Sequence, residues 1–223
     1  MTTNLSWLFR DCYSFNGANL NNWDVSNVTN MGVMFLGCSN FNGNISKWNV
    51  SNITNMGDMF RGCSKFNQNL DWNVSNVTNM IWMFYGCSIF NGDISEWNVI
   101  SVTNMGDMFN GCSNFNGDIS GWTVNNVTNM SDMFRGCSKF NQDISGWNVS
   151  NVISMRLMFR DCSEFNQDIS GWDVSNALDM TGMFAGTSIN NINNINKTNI
   201  IDKWGKLKDK SGNLKNLSHV FYG

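Results

Sequence analysis

Residues 122–147 read W-T-V-N-N-V-T-N-M-S-D-M-F-R-G-C-S-K-F-N-Q-D-I-S-G-W, and close copies of this stretch follow one another along most of the chain. The copies recur about every 25 residues, a period in the range of stacked repeat proteins. A tryptophan, a cysteine and a Met-Phe pair mark each copy. The recurring tryptophans are Trp23, Trp48, Trp72, Trp97, Trp122, Trp147 and Trp172, and the recurring cysteines are Cys12, Cys38, Cys63, Cys87, Cys112, Cys137 and Cys162. The repeats therefore form an alignment within one molecule.

The central part of each repeat has the pattern of a short helix. The residue before the first methionine is Asn, Ser or Asp in every copy, and these side chains accept hydrogen bonds from free amides at a helix start. In one copy Asp58 places a carboxylate in the first turn, where the helix dipole favours it. Met56, Met59 and Phe60 have the i, i+3, i+4 spacing of one helical face, and Gly62 follows as a stop signal. The pattern predicts about two turns of helix, capped at both ends.

The rest of each repeat, F-N-x-D-I-S-x-W-N-V, is rich in aromatic and branched residues and predicts a short extended segment. A unit of about 25 residues cannot bury its apolar side alone, and stacking of copies supplies a continuous core. We therefore expect a repeat solenoid in which each coil is a short strand plus a short capped helix.

Three ranges are expected along the chain. Residues 1–189 hold seven to eight regular repeats of about 25 residues, residues 190–215 form an irregular Asn/Lys-rich coil or insertion, and residues 216–223 start a further repeat. The last range is predicted because N-L-S-H-V-F at 216–221 resembles N-L-S-W-L-F at 4–9. Without a recognisable polar cap at the start, the chain is either an excerpt of a longer protein or packs an end against another chain.

Composition excludes several classes of function. The 223 residues carry a formal net charge of −3, without the basic surplus of a nucleic-acid-binding domain. No apolar run approaches the roughly 20 residues of a membrane helix, and the start of the chain lacks the pattern of a signal peptide. No nucleophile–base pair, phosphate loop or convergent metal set is recognisable, so we expect no enzyme, no catalytic residue, no metal and no cofactor.

Side chains that stay constant between copies are assigned to structure. The cysteines are expected to be buried free thiols, because parallel side chains in a column do not converge on a metal or on each other. The asparagine after the repeat phenylalanine is expected to form a ladder that satisfies backbone groups. Its members are Asn42, Asn67, Asn91, Asn116, Asn141 and Asn166, and the tryptophans assigned to structure with them are Trp48, Trp72, Trp97, Trp122 and Trp147.

A column of aspartates leaves two interpretations open. Stacked carboxylates repel one another, so they must be exposed, hydrogen-bonded or bridged by a cation. The sequence does not decide between hydrogen-bonded carboxylates and a hard cation such as calcium. The column consists of Asp93, Asp118, Asp143 and Asp168.

Side chains that vary between copies are the candidates for binding, although drift at exposed positions also produces variation. One repeat is locally apolar, with Trp82, Tyr85 and Ile89 at variable positions, and we predict a contact patch there. Basic residues at variable positions in other repeats complete the candidate set. They are Arg61, Lys65, Arg135, Lys139 and Arg160.

The unit V-T-N-M-x-x-M-F-x-G-C-S-x-F-N-x-D-I-S-x-W, over roughly residues 4–189, resembles the repeat of BspA-like leucine-rich-repeat surface proteins, in the variant abundant in mycoplasmas and also found in giant viruses. The resemblance implies a curved leucine-rich-repeat-like solenoid with a non-enzymatic role in surface display or adhesion, and a protein or host-surface partner. It also implies a cell-surface location, although no signal peptide is recognisable and a virion or cytoplasmic location stays open. The alternative function is an assembly component of a particle or fibre, such as a giant-virus virion, that self-associates through uncapped solenoid ends.

Overall fold

The computed structural model of the chain describes residues 2–222. The predicted ranges begin at Met1 and end at Gly223, and these two residues lie outside the described part. Successive repeats lie directly against one another and are joined by single-residue parallel β-bridges. Each bridge links the residue before the first methionine of one repeat to its equivalent in the next. The bridges join Asn4, Asn30, Asn55, Asn79, Asn104, Asn129, Ser154 and Asp179 in that order.

Backbone hydrogen bonds between repeats continue beyond each bridge. Alternate amides of residues 56–62 donate to alternate carbonyls of residues 79–85 in the next repeat, with N···O distances of 2.7–3.0 Å. Within a repeat, amides donate to carbonyls three residues back, as Met59 does to Met56 at 3.2 Å. Each repeat is thus a series of tight turns whose free amides are satisfied by its neighbour, and neither repeat satisfies its backbone alone.

The predicted fold, a leucine-rich-repeat-like solenoid with a short strand and a short capped helix in each coil of a curved rod, is wrong. Within residues 2–222 no strand is longer than one bridging residue, no sheet forms, and the regular repeats contain no α-helix. The physical reason is the backbone at Asp58, where φ is 57°, a left-handed value that an α-helix does not accommodate. Asp58 therefore does not sit in a helical first turn, and amides that a helix would use internally bond the next repeat.

Left-handed backbone recurs at the same two positions throughout the repeats. The predicted left-handed glycine is confirmed, since φ is 76° at Gly62, but it ends a turn and not a helix. The second position, immediately before the second methionine, holds mostly residues other than glycine. Its occupants are Trp7, Val33, Asp58, Trp82, Asp107, Asp132, Leu157 and Gly182.

The core consists of columns, each made of equivalent side chains from successive repeats. The rings of Phe60 and Phe66 have centroids 4.2 Å apart, and Phe60 lies 5.6 Å from Phe84 of the next repeat. Buried methionines, valines and isoleucines fill the space around these rings. Most of the aromatic stacking therefore joins one repeat to its neighbours, which explains how so short a unit gains a core.

The regular pattern changes after Gly186. A short 3-10 helix, Ser188–Asn190, precedes the one α-helix found in residues 2–222, α1, which spans Ile195–Trp204. The side chain of Asn194 accepts the amides of Asn196 and Lys197 and so caps α1. Trp204 is buried with its ring 6.1 Å from Phe184, the relationship that repeat tryptophans have with the phenylalanine of the preceding unit. The insertion therefore delays the next core tryptophan and does not interrupt the core.

The last described residues return to the core. Lys208 and Leu214 form an antiparallel bridge, and the ring of Phe221 then stacks 5.4 Å from Phe184. The amide of Phe184 donates to the carbonyl of Val220 at 3.0 Å, as equivalent amides do in earlier repeats. No helix in the described residues has the length and apolar character needed to cross a bilayer.

Candidate binding surface

The asparagines assigned to structure form a continuous ladder on the surface of the stack. From Asn67 onward, the backbone amide of each donates to the side-chain oxygen of its equivalent in the preceding repeat at 2.8–3.0 Å, whereas the amide of Asn42 donates to the backbone carbonyl of Asn16 at 3.3 Å. The ladder ends at Asn166, whose side-chain oxygen accepts the side-chain nitrogen of Asn194 at 2.6 Å. Its members are Asn42, Asn67, Asn91, Asn116, Asn141 and Asn166. These side chains are engaged in joining repeats.

A second amide ladder follows the bridging residues. Asn55 donates from its side-chain nitrogen to the side-chain oxygen of Asn30 at 3.2 Å, and that oxygen also accepts the amide of Gly32 at 2.9 Å. The bridging side chain thus closes a local turn and contacts the preceding repeat. The expected helix-capping role at this position is wrong because no helix follows.

The repeat tryptophans are bonded between repeats as well. Trp48, Trp72, Trp97, Trp122 and Trp147 are buried, and each indole Nε1 donates to a backbone carbonyl of the preceding repeat at 2.7–3.1 Å. From Trp72 onward, the rings of successive tryptophans stack with centroids 6.1–6.5 Å apart. No polar group of these side chains faces outward.

Six of the seven cysteines are buried free thiols as predicted, whereas Cys12 is exposed. The thiol of Cys63 donates to the carbonyl of Phe35 at 3.1 Å, and equivalent bonds recur through Cys162. Burial raises the pKa of the Cys38 thiol to about 11, and it raises the pKa of the Cys63 thiol further. The buried thiols are therefore protonated donors and not nucleophiles at neutral pH.

The predicted contact patch adjoins a cationic side chain that contacts two aromatic rings. The guanidinium carbon of Arg61 lies 5.1 Å from the ring centroid of Trp82 and 5.0 Å from that of Tyr85. Ile89 is 42% exposed and Lys65 is exposed. We call these five residues the aromatic patch. It joins two adjacent repeats, and cation–π contacts hold Arg61 against Trp82 and Tyr85.

Asp58 forms an ion pair with the arginine of the aromatic patch. Its carboxylate accepts Nη1 of Arg61 at 3.1 Å. Burial raises the pKa of the Asp58 carboxyl, and the neighbouring Arg61 opposes that rise. The carboxylate fixes the guanidinium near Trp82 and Tyr85, so Asp58 is a supporting residue that the helical interpretation of the sequence missed.

The structure does not bring the remaining predicted basic residues together with the aromatic patch in a single site. Lys139 forms a 2.7 Å ion pair with Glu164 of the next repeat. Arg135 bonds Asp132 at 3.2 Å, and Arg156 approaches the same carboxylate at 3.6 Å. The Nε atom of Arg160 is buried without a hydrogen bond, and the nearest carboxylate, that of Asp161, is 3.6 Å away.

The aspartate column is engaged with its own backbone. Asp93 accepts the amide of Ser95 at 3.0 Å, and Asp118 accepts that of Ser120 at 2.9 Å. These bonds lower the pKa of Asp93 and Asp118, and equivalent bonds act on Asp143. Asp168 also accepts the side chain of Asn199 at 2.9 Å. Within residues 2–222 no group of three or more His, Cys, Asp or Glu side chains is placed to hold a metal ion.

These features define a repeat protein in which constant side chains join the units and many variable side chains lie at the surface. The family model described as Mycoplasma protein of unknown function, DUF285, matches residues 3–110 and again residues 90–198. The chain belongs to this family. No curated protein matches the chain.

Proposed function

We propose that the chain is a non-enzymatic scaffold that binds a partner protein or host surface through variable side chains of its stacked repeats. The observation that carries this proposal is the contrast between the two kinds of position. Constant Asn, Trp and Cys side chains are bonded between repeats, whereas Arg61, Trp82 and Tyr85 form an ordered cluster that the core does not use.

The chemistry of the aromatic patch suits contact with another macromolecule. Aromatic and arginine side chains are enriched where binding energy is concentrated, and here they are already held in place by Asp58. Preorganised side chains lose less conformational entropy on binding. The repeat motif also relates the chain to BspA-like surface proteins, and an adhesin or surface-display role follows from that resemblance.

The test compares two sets of variants of the full chain in binding to host-surface proteins and to a glycan array. Trp82→Ser, Tyr85→Ser and Ile89→Ser together remove the apolar part of the patch, and we expect at least a tenfold loss of binding. The control is Asn110→Ser with Asn114→Ser, at two of the equivalent positions one repeat later, and we expect no change. Unchanged binding by the triple variant would remove the patch from the proposal, and no binding to any ligand would contradict the scaffold function.

A second candidate is self-association through the ends of the stack, which would make the chain a structural component of a particle or fibre. Its support is the exposure of aromatic side chains in the first repeat: Trp7 is 55%, Tyr13 62% and Trp23 39% exposed. The tryptophans equivalent to Trp23 in later repeats, such as Trp48 at 3%, are buried. Sedimentation over a wide range of concentrations tests this candidate, and a monomer at every concentration would count against it.

A further inference from the structure

The series of bridges between repeats stops at Asp179, although the sequence offers a further partner. In the preceding step Leu178 donates its amide to the carbonyl of Ile153 at 2.7 Å, and Met155 donates to the carbonyl of Asp179 at 2.8 Å. The residue equivalent to Leu178 in the next coil is Lys215. Its amide does not donate to the carbonyl of Leu178 but to that of Leu207, at 3.0 Å. Within residues 2–222, the carbonyl of Leu178 and the amide of Met180 have no hydrogen-bond partner.

A cleft of about 460 Å³ lies where this bridge is missing. We call it the terminal cleft; one wall is formed by residues 177–181, and the other includes Asp209, residues 213–216 and His219. Contacts between the two coils resume further along, since Phe184 donates to the carbonyl of Val220 at 3.0 Å. The terminal cleft is therefore a local gap in an otherwise continuous stack.

The segment that would close the gap has its backbone bonded elsewhere, and only the side chain of Lys215 crosses to the opposite wall. The ammonium of Lys215 donates to the carbonyl of Ala177, and the antiparallel bridge between Lys208 and Leu214 fixes the backbone just before Lys215. Because the amide of Lys215 is already bonded to Leu207, it cannot also donate to Leu178. The free backbone groups of Leu178 and Met180 are thus available to another chain.

The side chains that line the terminal cleft indicate which side chains a bound segment would need. Leu178 is 77% exposed and Leu214 is 64% exposed, which gives the cleft an apolar rim. The carboxylate of Asp179 accepts only the amide of Thr181, at 2.9 Å, among the described residues. A carboxylate accepts several hydrogen bonds, so a donor side chain is favoured at this point.

We propose that the terminal cleft binds an extended peptide segment that supplies the missing bridge at Asp179. The peptide accepts the amide of Met180 and donates to the carbonyl of Leu178, as each repeat does for its neighbour. Its central side chain is an amide that donates to Asp179, as Asn79 donates to Asn55 at 3.0 Å. The flanking residues are branched or apolar, to contact Leu178 and Leu214. This site is separate from the aromatic patch and does not depend on its function.

The test is an NMR titration of the full chain with an acetylated and amidated peptide of residues 101–106, S-V-T-N-M-G, which is the bridging motif of this chain. We expect saturable shifts of the Leu178, Asp179 and Met180 amides and none at Met105, whose amide already bonds the next repeat. The same peptide with an N-methylated threonine lacks the donor for Leu178 and should bind about tenfold more weakly. Replacing its asparagine by aspartate should also weaken binding, since two carboxylates then meet.

Chain variants separate the terminal cleft from non-specific binding. Leu214→Ser should weaken binding, whereas Ile153→Ser, an exposed residue equivalent to Leu178 one repeat earlier, should leave it unchanged. Variants of Trp82, Tyr85 and Ile89 should also leave peptide binding unchanged. Equal binding of the N-methylated peptide, or the absence of saturable shifts at the cleft, would overturn the proposal. So would strong hydrogen-exchange protection of the Met180 amide in the free chain, because residues 215–217 would then already close the gap.

Discussion

The indole Nε1 of Trp97 donates a hydrogen bond to the carbonyl oxygen of Leu70 in the preceding repeat at 2.7 Å. Both residues are buried, and the carbonyl oxygen of Leu70 accepts no other hydrogen bond from the described residues. The equivalent carbonyl of Ile94 receives two donors, the amide of Trp97 at 3.2 Å and the indole of Trp122 at 3.1 Å. The carbonyl at this position of the repeat thus accepts one hydrogen bond in one unit and two in the next.

Replacing Trp97 by phenylalanine should destabilise the chain more than the same change at Trp122. Trp97→Phe leaves the Leu70 carbonyl buried without a partner, which costs about 1–3 kcal/mol beyond the loss of ring volume. Trp122→Phe removes the same ring volume but leaves Ile94 one donor. Urea unfolding measures both variants, and equal losses of unfolding free energy would show that the indole bond adds nothing beyond packing.

Replacing Val33 by glycine should stabilise the chain. Val33 has φ of 65°, and a branched residue in left-handed backbone costs about 1–2 kcal/mol, more than the 0.5–1 kcal/mol entropic cost of glycine. Gly182 has φ of 63° at the equivalent position, so Gly182→Val should destabilise the chain by a similar amount. Thermal unfolding provides the measurement, and a lower melting temperature for Val33→Gly would contradict the strain.

Alkylation should modify one cysteine in the folded chain. Cys12 is exposed, whereas the other six thiols are buried with raised pKa, to about 11 for Cys38. Iodoacetamide at pH 8 followed by peptide mass spectrometry should place the label on Cys12, with the remaining thiols reacting only after unfolding. Rapid labelling of Cys87 in the native chain would show that the core opens.

The contribution of the Asp58 carboxyl to the free energy of unfolding should fall as pH rises. Burial raises the pKa of its carboxyl, so the folded chain holds this proton more tightly than the unfolded chain does. Its favourable contribution is present at low pH and is lost as pH rises through the folded pKa. Because the side chain is partly exposed, we expect an effect below about 1 kcal/mol.

The comparison for Asp58 uses Asp58→Asn, which removes the titration and retains a residue that tolerates left-handed backbone. Between about pH 4 and pH 7, the urea unfolding free energy of the wild type should fall relative to that of the variant. Asp93→Asn is a contrasting control, because hydrogen bonds from Ser95 lower the pKa of Asp93. Asp93 stabilises the chain at neutral pH, and that contribution is lost as pH falls. The same sign of effect at both positions would contradict this assignment.

Periodicity was sufficient to predict which residues are equivalent, but not the backbone path that connects them. The spacing of Met56, Met59 and Phe60 is shared by a helix and by the observed turns, because both return an apolar side chain to one face every three or four residues. The sequence did contain a signal against the helix at the position of Asp58. Other repeats have Val33, Trp7 and Gly182 at this position, and these residue types share no preference for a helix.

For the candidate site, variation between repeats singled out Trp82 and Tyr85 but not the contacts that organise them. The guanidinium of Arg61 reaches both rings from the preceding repeat, and Asp58 holds it there. The terminal cleft had no signal in the sequence. Lys215 and Asn216 match the motif closely enough to predict a further bridge, and only the competing contacts of Lys215 with Leu207 and Ala177 prevent it.

The sequence by itself determined that equivalent positions recur, and which of them are constant enough to join one repeat to the next. Only the tertiary structure decided the handedness of the backbone at each position, the partners of the indole and thiol donors, and the place where the series of bridges ends. The physical reason is that a single repeat satisfies neither its amides nor its apolar surface, so its conformation depends on bonds supplied by its neighbours.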